Sequence, residues 1–240
     1  MKRGILMIVS VLLYMNVQAQ DTSSHWGKHM HMMDKYKEDG HFGYLGIGYQ
    51  YTQFMGLPSG AQSIDGSGLA LSLNHYKICH NMLFGTELGG VNGQTVNNDD
   101  MSARVYQGFI YANWGYLIYN KKETMIYPFI GFGGAFNGLS LKNKTATDMN
   151  FTDFSIKAGQ KGNFSSSGVG INLGIGFKKS LMPCGSGYAL QLGFDLGVRY
   201  MPYHSNWNYN GNDSKVDQLG TGENLAYYAK LTIGKGTFKK

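Results

Sequence analysis

Apolar side chains recur at every second position over several stretches of this chain. In 169–178 they are Val169, Ile171, Leu173, Ile175 and Phe177, set between Gly170, Asn172, Gly174, Gly176 and Lys178. In 188–201 they are Tyr188, Leu190, Leu192, Phe194, Leu196, Val198 and Tyr200, set between Ala189, Gln191, Gly193, Asp195, Gly197, Arg199 and Met201. In 224–234 Leu225, Tyr227, Ala229, Leu231 and Ile233 hold one parity. A period of two belongs to a β-strand whose faces meet different surroundings. Leu45, Ile47, Tyr49 and Tyr51 repeat the pattern, as do Leu69, Leu71 and Leu73, and then Met82, Phe84 and Leu88. The stretches 104–118 and 126–139 are aromatic at both parities, so their faces are blurred. The pattern predicts eight strands, near 42–55, 67–77, 82–91, 103–118, 125–139, 167–178, 187–201 and 223–235. Pro128 is expected near a strand end, because it cannot donate to a ladder.

The opposite parity is small or polar, rich in Gly, Asn, Gln and Ser. An apolar outer face, a polar inner face and an even number of strands of roughly 10 residues describe a transmembrane β-barrel. Small inward residues suit a narrow lumen that side chains must fill. The connections agree. Those after the second, fourth and sixth strands are 78–81, 119–124 and 179–186, and those after the first, third, fifth and seventh are 56–66, 92–102, 140–166 and 202–222. Short turns at one end and longer polar loops at the other are expected when one end faces the periplasm and the other the outside. The predicted fold class is all-β: an eight-stranded antiparallel up-and-down transmembrane β-barrel with a short N-terminal lead-in. A soluble barrel has no reason for the loop asymmetry or for a continuous apolar outer face.

Composition adds the compartment. Lys2 and Arg3 precede an apolar stretch from Ile5 to Tyr14, followed by Val17-Gln18-Ala19. This is the layout of a secretory signal, and the apolar run is shorter than the roughly 20 residues of a membrane helix. The expected division is a signal peptide at 1–20, a His-rich lead-in at 21–41, either a short amphipathic helix or disordered, and a barrel at 42–240. The formal charge is +6, and loss of Lys2 and Arg3 leaves 6 − 2 = +4. So mild a charge on an exported chain argues against nucleic acid as a partner. Outer-membrane lipid and lipopolysaccharide are the expected surroundings, with an unidentified surface ligand for the loops.

With these features in place, 42–238 resembles the small OmpA/OmpX-type outer-membrane barrels. The resemblance rests on strand count, loop asymmetry and phrases such as Tyr127-Pro128-Phe129-Ile130-Gly131-Phe132-Gly133-Gly134. The signal ending Ala19-Gln20 resembles those of Bacteroidetes envelope proteins. It implies a bacterial outer-membrane location. Such barrels often end on an aromatic residue, whereas here Phe238 is followed by Lys239 and Lys240.

Four ionisable residues have inward parity: Glu87, Asp195, Arg199 and Lys230. Buried charges are costly unless paired, so a network filling the lumen is expected; a gate or narrow conduction path is the alternative. A second cluster lies where the seventh and eighth strands meet the long loop: Tyr203-His204-Ser205-Asn206 and, across the loop, Glu223. It resembles the outer-membrane lipid A deacylases, which carry His-x-Ser-Asn there and a Glu entering the last strand. The resemblance implies His204 as base, Ser205 as nucleophile and Glu223 as the residue orienting the base, the logic of an activated hydroxyl. His204 is assigned outward parity, toward an acyl-chain substrate. In this chain His204 and Ser205 are adjacent, without the intervening residue. The reading adopted is a polar surface loop, with the acyl hydrolase as the alternative.

His25 and His29 stand four apart, a spacing that can bind zinc on a helix. No Cys accompanies them, and the reading adopted is a lead-in with no metal. Cys79 and Cys184 are assigned to periplasmic turns on opposite sides of the barrel. A disulfide needs Cα atoms within about 7 Å, so free thiols are expected unless the 179–186 turn folds inward. No cofactor is implied.

Overall fold

Every neighbouring pair of long strands in the computed structural model is antiparallel, and the last strand pairs with the first. The structure describes residues 40–54, 67–97, 99–121, 124–150, 155–184, 188–205, 207–209, 215–216 and 224–238. The expected signal at 1–20, the His-rich stretch up to residue 39, and Glu223 lie outside the described residues. The barrel strands are β1 Gly40–Phe54, β2 Gly68–Cys79, β3 Met82–Asn97, β4 Met101–Tyr116, β5 Thr124–Asn143, β6 Lys161–Cys184, β7 Tyr188–His204 and β8 Asn224–Phe238. Fifteen residues of β8, from Asn224 to Phe238, register against Phe54 to Gly40 and close the sheet. Closure matters because it leaves no unpaired edge.

The register also sets the barrel's dimensions. Thr52 pairs with Ala226, Ala226 with Arg199, Arg199 with Asn172, and Asn172 with Gly131. Gly131 pairs with Asn113, Asn113 with Gly85, Gly85 with Tyr76, and Tyr76 with Phe42. One circuit therefore returns to β1 ten residues below its start, from Thr52 to Phe42. For eight strands, that stagger corresponds to a tilt of about 40° and a radius of about 8 Å. Such a bore is filled by side chains.

The boundaries differ from the expected ones in an ordered way. Gly40 and His41, assigned to the lead-in, already belong to β1. The connection expected at 92–102 shrinks to 98–100, because β3 and β4 continue upward as a ladder through Asn97 and Ser102. Most of 140–166 is also strand: β5 runs to Asn143, β6 starts at Lys161, and Lys142 pairs with Lys161. Within it, Met149–Asn150 pairs with Ser155–Ile156. Three-residue Trp207–Tyr209 adds to β6 beside Phe164 and Ser165, and Lys215–Val216 adds to it in turn. Polar sequence at these positions marks strand outside the apolar zone, where the outward face no longer has to be hydrophobic while Leu141, Ile156 and Phe164 stay buried inside.

The β2–β3 turn is as tight as two residues allow. His80 and Asn81 both have positive φ, 58° and 65°. Positive φ at both central residues defines the hairpin turn whose twist matches the flanking strands. Pro128 is the fifth residue of β5, where the ladder to β4 has stopped at Phe129. It faces outward, so its ring meets no inward side chain.

Inside, buried residues stack in layers along the axis. Nearest the short turns, Phe42, Tyr44, Tyr76, Met125, Tyr127 and Tyr228 pack together. A middle layer holds Ala70, Val91, Phe109, Tyr111 and Met201. Beyond the polar Gln50, Gln107 and Asn137, an upper cluster joins Val105, Leu139, Leu141, Ile156, Phe164 and Trp207. Inward glycines make room for these groups. A Cβ at Gly193 would lie 2.5 Å from Lys178 Cδ, and one at Gly197 2.5 Å from Tyr228 Cζ.

Candidate functional site

Alternation on four different strands aims five charged side chains at one level of the lumen. Arg199 Nη2 lies 2.6 Å from Glu87 Oε1, and Lys230 Nζ lies 2.5 Å from the same oxygen. Lys230 also reaches Asp195 Oδ2 at 3.8 Å, and Asp195 Oδ1 is 2.5 Å from Lys178 Nζ. The four residues singled out by parity are thus brought together on β3, β7 and β8. Lys178, on β6, joins them. The alternation in 169–178 shows its inward parity, but it closes the expected strand, where a charge needs no partner. The strand in fact continues to Cys184, so Lys178 is interior and 1% exposed.

Neutral groups complete the arrangement. Lys178 donates to Thr232 Oγ1 at 2.8 Å, Arg199 donates to Gln50, and Asn172 Nδ2 donates to Glu87 Oε2 at 3.3 Å. Tyr228 donates to Asn172 Oδ1 at 2.9 Å. The Arg199 guanidinium sits 3.7 Å from the centre of the Phe109 ring and 4.3 Å from that of Tyr228, within cation–π range. Above it, Gln50 donates to Gln107 at 2.6 Å, and Gln107 donates to Asn137 at 2.9 Å. Two carboxylates face three cations. Pairing of this kind is what allows charge to be buried at all.

The outward parity carries Leu45, Ile47, Leu71, Leu88, Ile110, Leu173, Leu196 and Leu231, each more than two-fifths exposed. Aromatic side chains bracket them. Phe84, Trp114 and Tyr116 lie toward the short turns, and Tyr49, Tyr51, Tyr106, Tyr203 and Tyr227 toward the long loops. An apolar band between two aromatic girdles is the outer surface of a membrane barrel.

The His204–Ser205 pair lies just past a bulge. Tyr200 pairs with Ile171 but Tyr203 pairs with Val169, so Met201 and Pro202 together oppose Gly170. The extra residue reverses the alternation. Tyr203 is thereby turned outward, 60% exposed, and His204 pairs with Gly168. Pro202 was the only sequence sign of the bulge. Ser205 continues the ladder without being strand: its N–H donates to Ser167 O at 2.7 Å, and its hydroxyl accepts from Ser167 N–H at 3.1 Å.

Cys79 is a free thiol at the end of β2, with Sγ 2.9 Å from His80 Nδ1. At the far end, Trp207 is 2% exposed against Val105, Leu139 and Phe164, and Tyr209 packs on Phe164 with ring centres 5.3 Å apart. Asn143 fastens this region by donating to Thr147 O at 2.8 Å and Ile156 O at 3.0 Å.

No protein-family model matches the chain, and no curated protein is significantly similar to it. Solved structures align with most of the chain at low identity. Neisserial surface protein A shares 13% identity and a TM-score of 0.41 over 82% of this chain and 96% of its own. A major outer-membrane protein from Thermus thermophilus shares 16% identity and a TM-score of 0.48, covering 83% and 99%. Ail, the attachment invasion locus protein of Yersinia pestis, shares 10% identity and a TM-score of 0.44, covering 85% and 100%. By its ladders, closure and apolar outer wall, the chain has the architecture of the small eight-stranded outer-membrane β-barrels.

Proposed function

We propose that this chain is an exported outer-membrane protein whose lumen is closed to solutes and whose work is done at its surface, through the rim beyond the bilayer. The observation that carries the reading is the paired charge layer. Glu87, Asp195, Lys178, Arg199 and Lys230 are each at most 5% exposed and occupy the section of a bore about 8 Å in radius. Aromatic layers lie above and below them. A conducting path would leave such groups wet; here protein atoms surround them. This supports a structural or surface-interaction role over a narrow channel.

The rim supports the second half of the reading. β4, β5 and β6 continue past the outer girdle and carry their own apolar cluster around Trp207. A cluster of this kind holds a surface in shape for contact, with proteins, glycans or host molecules as partners. The acyl-hydrolase alternative draws less support, because the Ser205 hydroxyl serves as acceptor for the Ser167 backbone. The test is single-channel recording of the purified protein in planar bilayers, alongside a heat-dependent gel shift that reports the folded barrel. Folded protein with no conductance steps is the expected outcome. Sustained ion conductance by the folded form would overturn the closed lumen.

A further inference from the structure

Three cations stand on the outward face of adjacent strands above the outer girdle. Lys142 on β5 and Lys161 on β6 are directly opposite one another, and both are exposed on that face. Like charges placed directly across a ladder destabilise it, so an anion between them is favoured. Arg104 is one strand over, on β4, and two residues nearer the membrane, where it pairs with Ser140. Its guanidinium is held in place. Nε donates to Gly93 O at 3.2 Å, Nη2 donates to Asn92 Oδ1 at 2.7 Å, and the group lies 5.1 Å from the centre of the Tyr106 ring. These partners are neutral and leave the charge itself uncancelled. At sheet spacings the three Cα atoms fall within about 12 Å of one another.

Their depth narrows the partner. Tyr106 belongs to the outer girdle, and Arg104 is two residues beyond it, about 5 Å further out at the barrel's tilt. The stagger that brings β1 back ten residues lower also lifts β5 and β6 relative to β4. Lys142 and Lys161 therefore stand about 13 and 16 Å beyond Tyr106. The wall between the cations is polar, with Ser102 and Ser140 on the outward parity. Just below Tyr106 it is bare. Gly90 and Gly108 are paired across β3 and β4 beside the exposed Phe136, and a Cβ at Gly108 would meet nothing within 4 Å. Carboxylates share the long-loop end: Asp99, Asp100 and Asp148, with others outside the described residues. What singles out the ligand is cationic charge at two depths above an open apolar hollow. A phospholipid carries its charge at one level. A glycolipid with phosphate at its base and acidic groups on its proximal sugars carries charge at both.

We propose that the outward face of β4, β5 and β6 binds one molecule of lipopolysaccharide in the outer leaflet. Arg104 takes a phosphate at the glycolipid's base, and Lys142 and Lys161 take the acidic groups of its proximal sugars. One acyl chain lies in the hollow at Gly90 and Gly108. A basic residue near a membrane surface draws anionic lipid, and the two lysines, beyond the reach of a phospholipid headgroup, correspond to a preference of about tenfold or more for the glycolipid. The inference rests on the reading above of the rim as the working surface of a membrane barrel, and it names a partner for that surface.

The test uses the full mature chain in phosphatidylcholine nanodiscs doped equally with deep-rough lipopolysaccharide and phosphatidylglycerol, with retained lipid counted by native mass spectrometry. One lipopolysaccharide held in at least about tenfold preference to phosphatidylglycerol is expected. Lys142→Gln with Lys161→Gln should abolish the preference. Gly108→Leu, which fills the hollow and keeps every charge, should lower it, and an unchanged value overturns the placement of the acyl chain. Lys77→Gln with Lys179→Gln, an equal loss of charge at the short-turn end, should leave it intact. Retention without preference, or equal loss in the short-turn variant, overturns the site. Displacement by millimolar inorganic phosphate also overturns it, by showing a bare anion site. The urea midpoint without lipopolysaccharide is measured alongside. The Lys142 and Lys161 double variant should match or exceed the parent, and a fall would show that the lysines serve a carboxylate of the chain itself, which overturns the site too. A chain that fails to enter the nanodisc contradicts the membrane reading itself, whereas one that enters and shows no preference contradicts only the lipopolysaccharide seat.

Discussion

Lys230 on β8 and Arg199 on β7 converge on a single oxygen, Glu87 Oε1 on β3, at 2.5 and 2.6 Å. One carboxylate thus ties two adjacent strands to a third across the lumen. Glu87→Gln leaves both cations buried with only Asp195 at 3.8 Å from Lys230. Removing one partner of a buried ion pair costs about 3–5 kcal/mol. The urea midpoint of the refolded barrel should fall accordingly, read by tryptophan fluorescence or the gel shift. A midpoint unchanged from the parent would show that the network adds nothing to stability.

The outer wall offers a test of what solvent it faces. Leu231 is 68% exposed in the middle of the apolar band, flanked by Ile47 and Phe194. A lysine at the bilayer midplane of a barrel costs about 2–4 kcal/mol. Leu231→Lys should lose that much stability in lipid vesicles. Near-neutral behaviour in vesicles would place this face in water.

The β2–β3 turn responds to side-chain shape. Asn81 has φ 65°, a region that Asn and Gly tolerate and β-branched residues do not. Asn81→Gly should fold with little change, while Asn81→Val should cost about 1–3 kcal/mol. Comparing the two refolding yields and urea midpoints checks this. Equal stability of both variants would mean that the turn does not hold this geometry.

Trp207 is the centre of the apolar cluster at the rim. Trp207→Ala in a packed core costs about 3–5 kcal/mol, but here the loss should stay local. Limited proteolysis should cut more readily within 205–223, with the heat-dependent gel shift retained. Loss of the gel shift as well would show that rim and barrel fold as one unit.

For the loop at His204 and Ser205, mass spectrometry of lipid A from cells with and without the protein separates the two readings. Acylation should be the same, and Ser205→Ala should alter only local stability, by about 1 kcal/mol for one lost hydrogen bond. A lost acyl chain that returns with Ser205→Ala would establish the hydrolase.

Much of this fold is legible without coordinates. Because side chains alternate across a strand, Leu190 through Arg199 declare which residues meet lipid and which meet the lumen, and the strand count and the inward charges Glu87, Asp195, Arg199 and Lys230 follow from parity alone. Alternation weakens where the outer face leaves lipid. Above the outer girdle the outward positions of β5 and β6 are polar while Leu141 and Phe164 stay buried inside, so 140–143 and 161–166 read as loop although they are ladder. It also fails at a bulge: one extra residue at Met201–Pro202 shifts the register, and Tyr203 turns outward. Lys178 was visible as inward but not as a partner, since only the register brings it opposite Asp195. A strand-built wall with an apolar outside and a charged inside is written in the chain alone, because both are local properties of a period of two. Which charges meet, and that β8 closes on β1 with a stagger of ten residues, depend on register between strands distant in the chain, and only the folded barrel sets that.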